Sequence, residues 1–111
     1  AIVIKALLYL NRHFKEKISR WRLSEELNAS EDYLSRIFRS QMGTTLWDYL
    51  NRLRIAYAVE LLAESSDTVA EVAARAGFQD QAYFCRVFKR LQGTTPGALR
   101  KESQHDVRKV Q

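Results

Sequence analysis

Residues 33–45 read YLSRIFRSQMGTT, residues 83–95 read YFCRVFKRLQGTT, and the two align without a gap. Six of the 13 positions are identical, and most of the rest are gentle exchanges such as Ile for Val and Arg for Lys. The likeness continues upstream, where Leu23 to Tyr33 parallels Val72 to Tyr83 with one extra residue in the second turn. A repeat of this size in 111 residues constrains the fold strongly, because whatever one unit builds the other must build too.

Each unit reads as a short helix, a tight turn, a second helix, then Gly-Thr-Thr and a further helix. Val3, Leu7, Leu10 and Phe14 recur at helical spacing, so a first helix is expected over 2–16. Ser19 is placed to cap a helix over 20–27, and Asn28 stands where a tight turn needs a residue that tolerates positive φ. Ser30 opens a helix over 31–42, which Gly43 ends. Thr45 with Asp48 opens a long helix over 46–64, and Thr68 with Glu71 opens one over 69–76. Gly77 takes the turn position of Asn28, and the next helix spans about 80–92 and stops at Gly93. Thr95-Pro96 is a cap with Pro at the first helical position, starting a short last helix. Strand alternation and Asn-Gly hairpin pairs are lacking. The expectation is an all-α chain of about seven helices: two helix-turn-helix subdomains, 1–45 and 65–102, joined by a linker helix over 46–64. A polar tail over 103–111 is expected to fray.

Several function classes lose support at once. No apolar run is long enough to span a bilayer, and the apolar start AIVIKALLYLNRHF lacks a signal-peptide cleavage site. Cys85 is the single cysteine, which excludes an internal disulfide and cysteine-rich zinc sites and fits a reducing compartment. His13 and His105 have no evident catalytic partners, and no glycine-rich phosphate loop is present. Neither enzyme activity nor a cofactor is expected. A net charge of +5 is compatible with a polyanionic partner.

The second helix of each unit carries two faces. Leu34, Ile37 and Phe38, and Phe84, Val87, Phe88 and Leu91, form apolar stripes that belong in a core. The opposite stripes are Asp32, Ser35, Arg36 and Arg39 in one unit, and Ala82, Cys85, Arg86 and Lys89 in the other. Such a face is either plain solvated surface or a reading surface. Its recurrence at the same place in a helix-turn-helix, with Arg at each, favours reading of base edges, since a guanidinium fork suits guanine O6 and N7. Shared Tyr33/Tyr83, Phe38/Phe88 and Gly-Thr-Thr are most simply scaffold; the differing positions, with Gln81, are where two modules would read different bases. Arg36 and Arg86 are either base contacts or surface ion pairs. Nearby charges, Arg20 and Arg90 included, can meet phosphates. Cys85 beside Arg86 is also compatible with a redox-sensitive thiol. Trp47 and Tyr49 read as core rather than partner surface. A helix over 46–64 is roughly 28 Å long at about 1.5 Å per residue, against about 34 Å between successive major-groove faces on one side of DNA. One chain is therefore long enough to address two adjacent grooves, bending the DNA if the helix is stiff.

The stretches YLSRIFRSQMGTT, DYLNRLRIAYAVELLAES and VAEVAARAGFQDQAYFCRVFKRLQGTTP closely resemble the DNA-binding domain of AraC/XylS-type bacterial transcription regulators. The resemblance covers about residues 3–101. It implies two helix-turn-helix subdomains that bind double-stranded promoter DNA, usually activating through RNA polymerase, in the bacterial cytoplasm at the nucleoid. Carried onto this chain, it implies base contacts from Asp32, Ser35 and Arg36, then from Gln81, Ala82, Cys85 and Arg86. Backbone contacts would come from Ser30, Arg20, Arg39, Lys89 and Arg90. Gln79 and Ala82 stand where the family more often has Ser, which leaves Asp80 as the capper of the second recognition helix. Trp21 and Arg22 are unusual before the first turn; Trp21 is either packed surface or an extension of the phosphate-facing surface. Most such regulators have a separate sensing domain, so an effector or phosphorylation is expected to act through a domain outside this segment. Two other classes stay open on sequence grounds: the DNA module of a repair protein, and a helical protein-interaction module.

Overall fold

The structure, a computed structural model, describes residues 1–110, with side chains through Gln104. The His105 side chain and the end of the expected tail at Gln111 lie outside what is described. Seven helices and no strand occur among the described residues: α1 (Ile2–His13), α2 (Arg20–Leu27), α3 (Glu31–Met42), α4 (Leu46–Glu64), α5 (Val69–Arg75), α6 (Gln81–Gln92) and α7 (Pro96–Val110). The all-α, seven-helix expectation holds. No described helix is long and apolar enough to cross a membrane.

Two compact units divide the chain, Ala1–Leu53 and Arg54 onward. In the first, Val3, Ala6 and Leu10 of α1 bury against Leu23, Leu34, Phe38, Leu46 and Leu50. Trp47 and Tyr49 pack against this core, Tyr49 edge-on to Phe38 at 5.9 Å between ring centroids. In the second, Ile55, Ala58, Leu61 and Leu62 of α4 bury with Val72, Ala73 and Ala76 of α5, with Phe78, and with Phe84, Val87 and Phe88 of α6. The Phe78, Phe84 and Phe88 rings pack in series, 5.1 and 5.6 Å apart. α4 supplies side chains to both cores, its first residues to one and its later residues to the other.

Two helix ends differ from expectation. α1 stops at His13 rather than residue 16. Arg22 donates to the Lys17 carbonyl and the Glu16 carboxylate, both at 2.7 Å, which holds the chain in a turn where α1 would otherwise continue. At the other end, the residues expected as a fraying tail from Ser103 continue α7 to Val110. Thr95 Oγ1 accepts from Ala98 N, Leu99 packs on the second core, and Arg100 donates to the carbonyls of Leu62 and Ser65 at the end of α4. With its start fixed, α7 pays no further nucleation cost, and Lys101, Glu102 and Gln104 are good helix formers.

Candidate nucleic-acid interface

Each recognition helix is held by a cap at both ends. Ser19 Oγ accepts from Arg22 N at 3.0 Å to start α2. Asn28 closes it in the left-handed region (φ 52, ψ 49), a conformation asparagine adopts more readily than most residues. Ser24 Oγ donates to the Ala29 carbonyl at 2.6 Å across the turn. Ser30 Oγ then accepts from Tyr33 N, and α3 runs until Gly43 at φ 74. The second unit uses the same plan with different residues. Thr68 and Glu71 form a complete capping box on α5. Gly77, at φ 102, makes the turn, and Phe78 N donates to the Ala73 carbonyl. Asp80 caps α6 by accepting from Ala82 N and Tyr83 N, the role expected of it. Gly93 ends α6 at φ 76.

Burial of the apolar stripe fixes which face of each helix looks outward. On α3, Leu34 and Phe38 are buried, and Asp32, Ser35, Arg36 and Arg39 are exposed. On α6, Phe84, Val87 and Phe88 are buried, and Gln81, Ala82, Arg86, Lys89 and Arg90 are exposed. Cys85 differs from expectation: it is half-buried and packs on the second core. It lies roughly 60° around the helix from Phe88, at the rim of the apolar stripe, and a thiol behaves there as a small hydrophobe. Ser35, its counterpart on α3, stays exposed. In the first unit, Arg20 and Ser35 line one small cleft together with Glu31 and Trp47, so the start of α2 adjoins the α3 face. Ser30 is exposed and uses its Oγ as an acceptor, which leaves its O–H able to donate.

Among the described residues, neither Arg36 nor Arg86 pairs with a carboxylate. Each instead lies over the ring of the tyrosine three residues before it: Arg36 over Tyr33 and Arg86 over Tyr83, both 5.9 Å from the ring centroid. Those tyrosines, expected as plain scaffold, are 42% and 43% exposed. Their signal was present in the sequence as Tyr and Arg at i, i+3 in both units. The surface ion pairs occur elsewhere. Arg22 pairs with Glu16, raising its own pKa, and also lies over Tyr9. Arg22 is therefore committed to the α1–α2 connection, whereas neighbouring Trp21 is 69% exposed. Arg75 pairs with Asp67. Arg54, half-buried over Phe78, has its pKa lowered by burial, with Tyr83 opposing that shift.

A family model described as a helix-turn-helix domain matches residues 23–102. The chain belongs to the AraC/XylS family. It is 36% identical over 97 residues to YisR, an uncharacterized helix-turn-helix transcriptional regulator of Bacillus subtilis, covering 87% of this chain and 34% of YisR. It is 41% identical over 95 residues to the transcriptional activator RhaR of an Enterobacter species, covering 86% of this chain and 32% of RhaR. The chain thus spans about a third of the length of these curated relatives. Among solved structures, the DNA-binding domain of the global transcriptional factor AdpA, in complex with a target DNA, superposes with a TM-score of 0.86 at 27% identity. That match covers 94% of each chain. The chain is an AraC-type helix-turn-helix DNA-binding domain of the transcription-regulator kind, and its relatives are regulators rather than enzymes.

Proposed function

We propose that this domain reads double-stranded promoter DNA with two recognition helices, α3 and α6, placed in adjacent major grooves. Asp32, Ser35 and Arg36 contact bases in the first half-site, and Gln81, Ala82 and Arg86 in the second, with half-buried Cys85 at the rim of that face. Ser30, Arg20, Arg39, Lys89 and Arg90 meet the sugar-phosphate backbone and set register. Residues 1–45 and 65–102 act as the two reading modules, and 46–64 as the link between them. Because the modules differ at their reading positions, the site is asymmetric and needs no palindrome. In this reading the domain is the DNA-binding part of a longer bacterial activator. It contacts RNA polymerase in the cytoplasm, and a separate domain senses the effector or phosphorylation.

The observation that carries the reading is the twofold occurrence of an exposed, carboxylate-free arginine on the outer face of a capped second helix. A purely solvated face has no reason to keep that arrangement at both places. Selection of binders from a pool of random duplex DNA, followed by sequencing at two salt concentrations, tests it. The expected result is an asymmetric motif of two blocks about one helical turn apart. Binding without enrichment that vanishes at moderate salt would reduce the interaction to phosphate attraction and overturn the reading.

A further inference from the structure

We propose that Tyr33 and Tyr83 are positioning residues of the DNA interface, each holding the base-reading arginine one helical turn further on. The inference rests on the assignment of Arg36 and Arg86 as base contacts.

Both rings are exposed, at 42% and 43%. Tyr9, Tyr49 and Tyr57, by contrast, are half-buried. Each guanidinium carbon lies 5.9 Å from its ring centroid, at the outer edge of cation–π attraction. The i, i+3 spacing puts ring and guanidinium on neighbouring positions of one helix face. An arginine that stacks on a ring gives up torsional freedom before DNA arrives, so it loses less when its fork meets a guanine edge. A carboxylate partner would also fix the arginine, but it would have to be broken to free the fork. A ring face leaves the edge N–H donors available. The tyrosine thus orients the cation without using the donors that read the base.

The two rings are supported differently. Tyr83 also packs 6.1 Å from Phe78 and lies in the electrostatic reach of Arg54. Tyr33 lacks a ring contact of that kind among the described residues, so it gives the cleaner test.

The experiment is a double-mutant cycle on the selected DNA site, using Tyr33→Leu, Tyr33→Phe and Arg36→Ala, with fold checked by thermal unfolding. Tyr33→Leu is expected to weaken cognate binding about 2- to 5-fold, the reach of an exposed cation–π contact. Binding to random DNA should not change, and Tyr33→Phe should restore the cognate affinity. In the Arg36→Ala background, Tyr33→Leu should cost nothing more, because the ring acts only through the arginine. A tyrosine that served only the fold would weaken both backgrounds alike. Equal loss in both backgrounds, tighter binding by Tyr33→Leu, or failure of Phe to rescue would each overturn the positioning role. Should Tyr33→Leu fail to fold, Tyr33→Gln replaces it with the same expectation. If Arg36→Ala itself is silent, the base-contact reading fails. If it is felt while Tyr33→Leu is silent, the positioning role alone fails.

Discussion

Arg86 and Lys89 sit three residues apart on the exposed face of α6, and the domain uses them for different purposes if it binds as proposed. Arg86→Ala removes a side chain whose described interaction within the fold is its cation–π contact over the Tyr83 ring. The fold should therefore lose only about 0.5–1 kcal/mol, the worth of an exposed cation–π pair. Cognate DNA binding should lose about 1–3 kcal/mol, and preference at one base position should relax. Lys89→Ala should act on phosphate alone. It should weaken cognate and random DNA equally and shrink the slope of log affinity against log salt by about 0.9. Raising salt from about 50 to about 200 mM should then close the gap between wild type and Lys89→Ala by about 3.5-fold. Fluorescence anisotropy on a selected duplex and a scrambled one, at four salt concentrations, measures all of these quantities. The reasoning is refuted if Arg86→Ala weakens random DNA as much as cognate DNA, or if the loss in Lys89→Ala is confined to the cognate site. Unchanged binding in both, with folding intact, would remove this face from the interface altogether.

Further outcomes follow from the same geometry. Asp80→Ala strips two backbone N–H groups of their acceptor at the start of α6 and should cost about 1 kcal/mol, with Asp80→Asn costing much less, as read by urea unfolding. Gly43→Ala and Gly93→Ala meet no atom within 4 Å but are held at φ 74 and 76, so both should lose a similar 1–2 kcal/mol (roughly) from backbone strain alone. Phe84→Ala, at a fully buried site between Phe78 and Phe88, should cost about 3–5 kcal/mol and broaden or abolish cooperative melting of the second unit. The Glu16 carboxyl should titrate below the ordinary glutamate range, first through its hydrogen bond from Arg22 and then through His13. Its folded pKa is depressed, so its stabilising effect is present above the unfolded pKa and is lost as pH falls through the folded one. In Arg22→Ala the carbon chemical shift of that carboxyl should titrate at higher pH.

The elements best read from sequence were those with a chemical mark at each end. α2, α3 and α4 fall where Ser19, Asn28, Ser30, Gly43 and Thr45 place them, because caps and left-handed residues act locally. α1 has no such stop signal. Its end is set by Arg22, which reaches back from the next helix, and a tertiary hydrogen bond of that kind is invisible to periodicity. α7 runs further than the short last helix expected. Its polar sequence suggested fraying, yet Arg100 and Leu99 anchor its first turns to the second unit. On the candidate interface, i, i+3, i+4 spacing identified the outward faces but could not decide a rim position, so Cys85 was placed too far out. The choice for Arg36 and Arg86 between ion pair and open surface depended on which side chains lie beside them, and nearby carboxylates in sequence do not answer that.

The two recognition helices share a scaffold but not a charge pattern. α3 sets Arg36 and Arg39 against Glu31 and Asp32, so its charges cancel. α6 carries Arg86, Lys89 and Arg90 and no acidic residue. Acidic residues in the first turn of α3 suit the helix dipole but repel phosphate, and a carboxylate at a reading position accepts well from cytosine N4. The second recognition helix, free of carboxylates, gains more from counterion release, while the first offers acceptors that suit cytosine. The internal repeat sets down one cap-and-stripe design twice. Substitution on the outer faces, where packing does not constrain the residue, changes the charge pattern while that design stays.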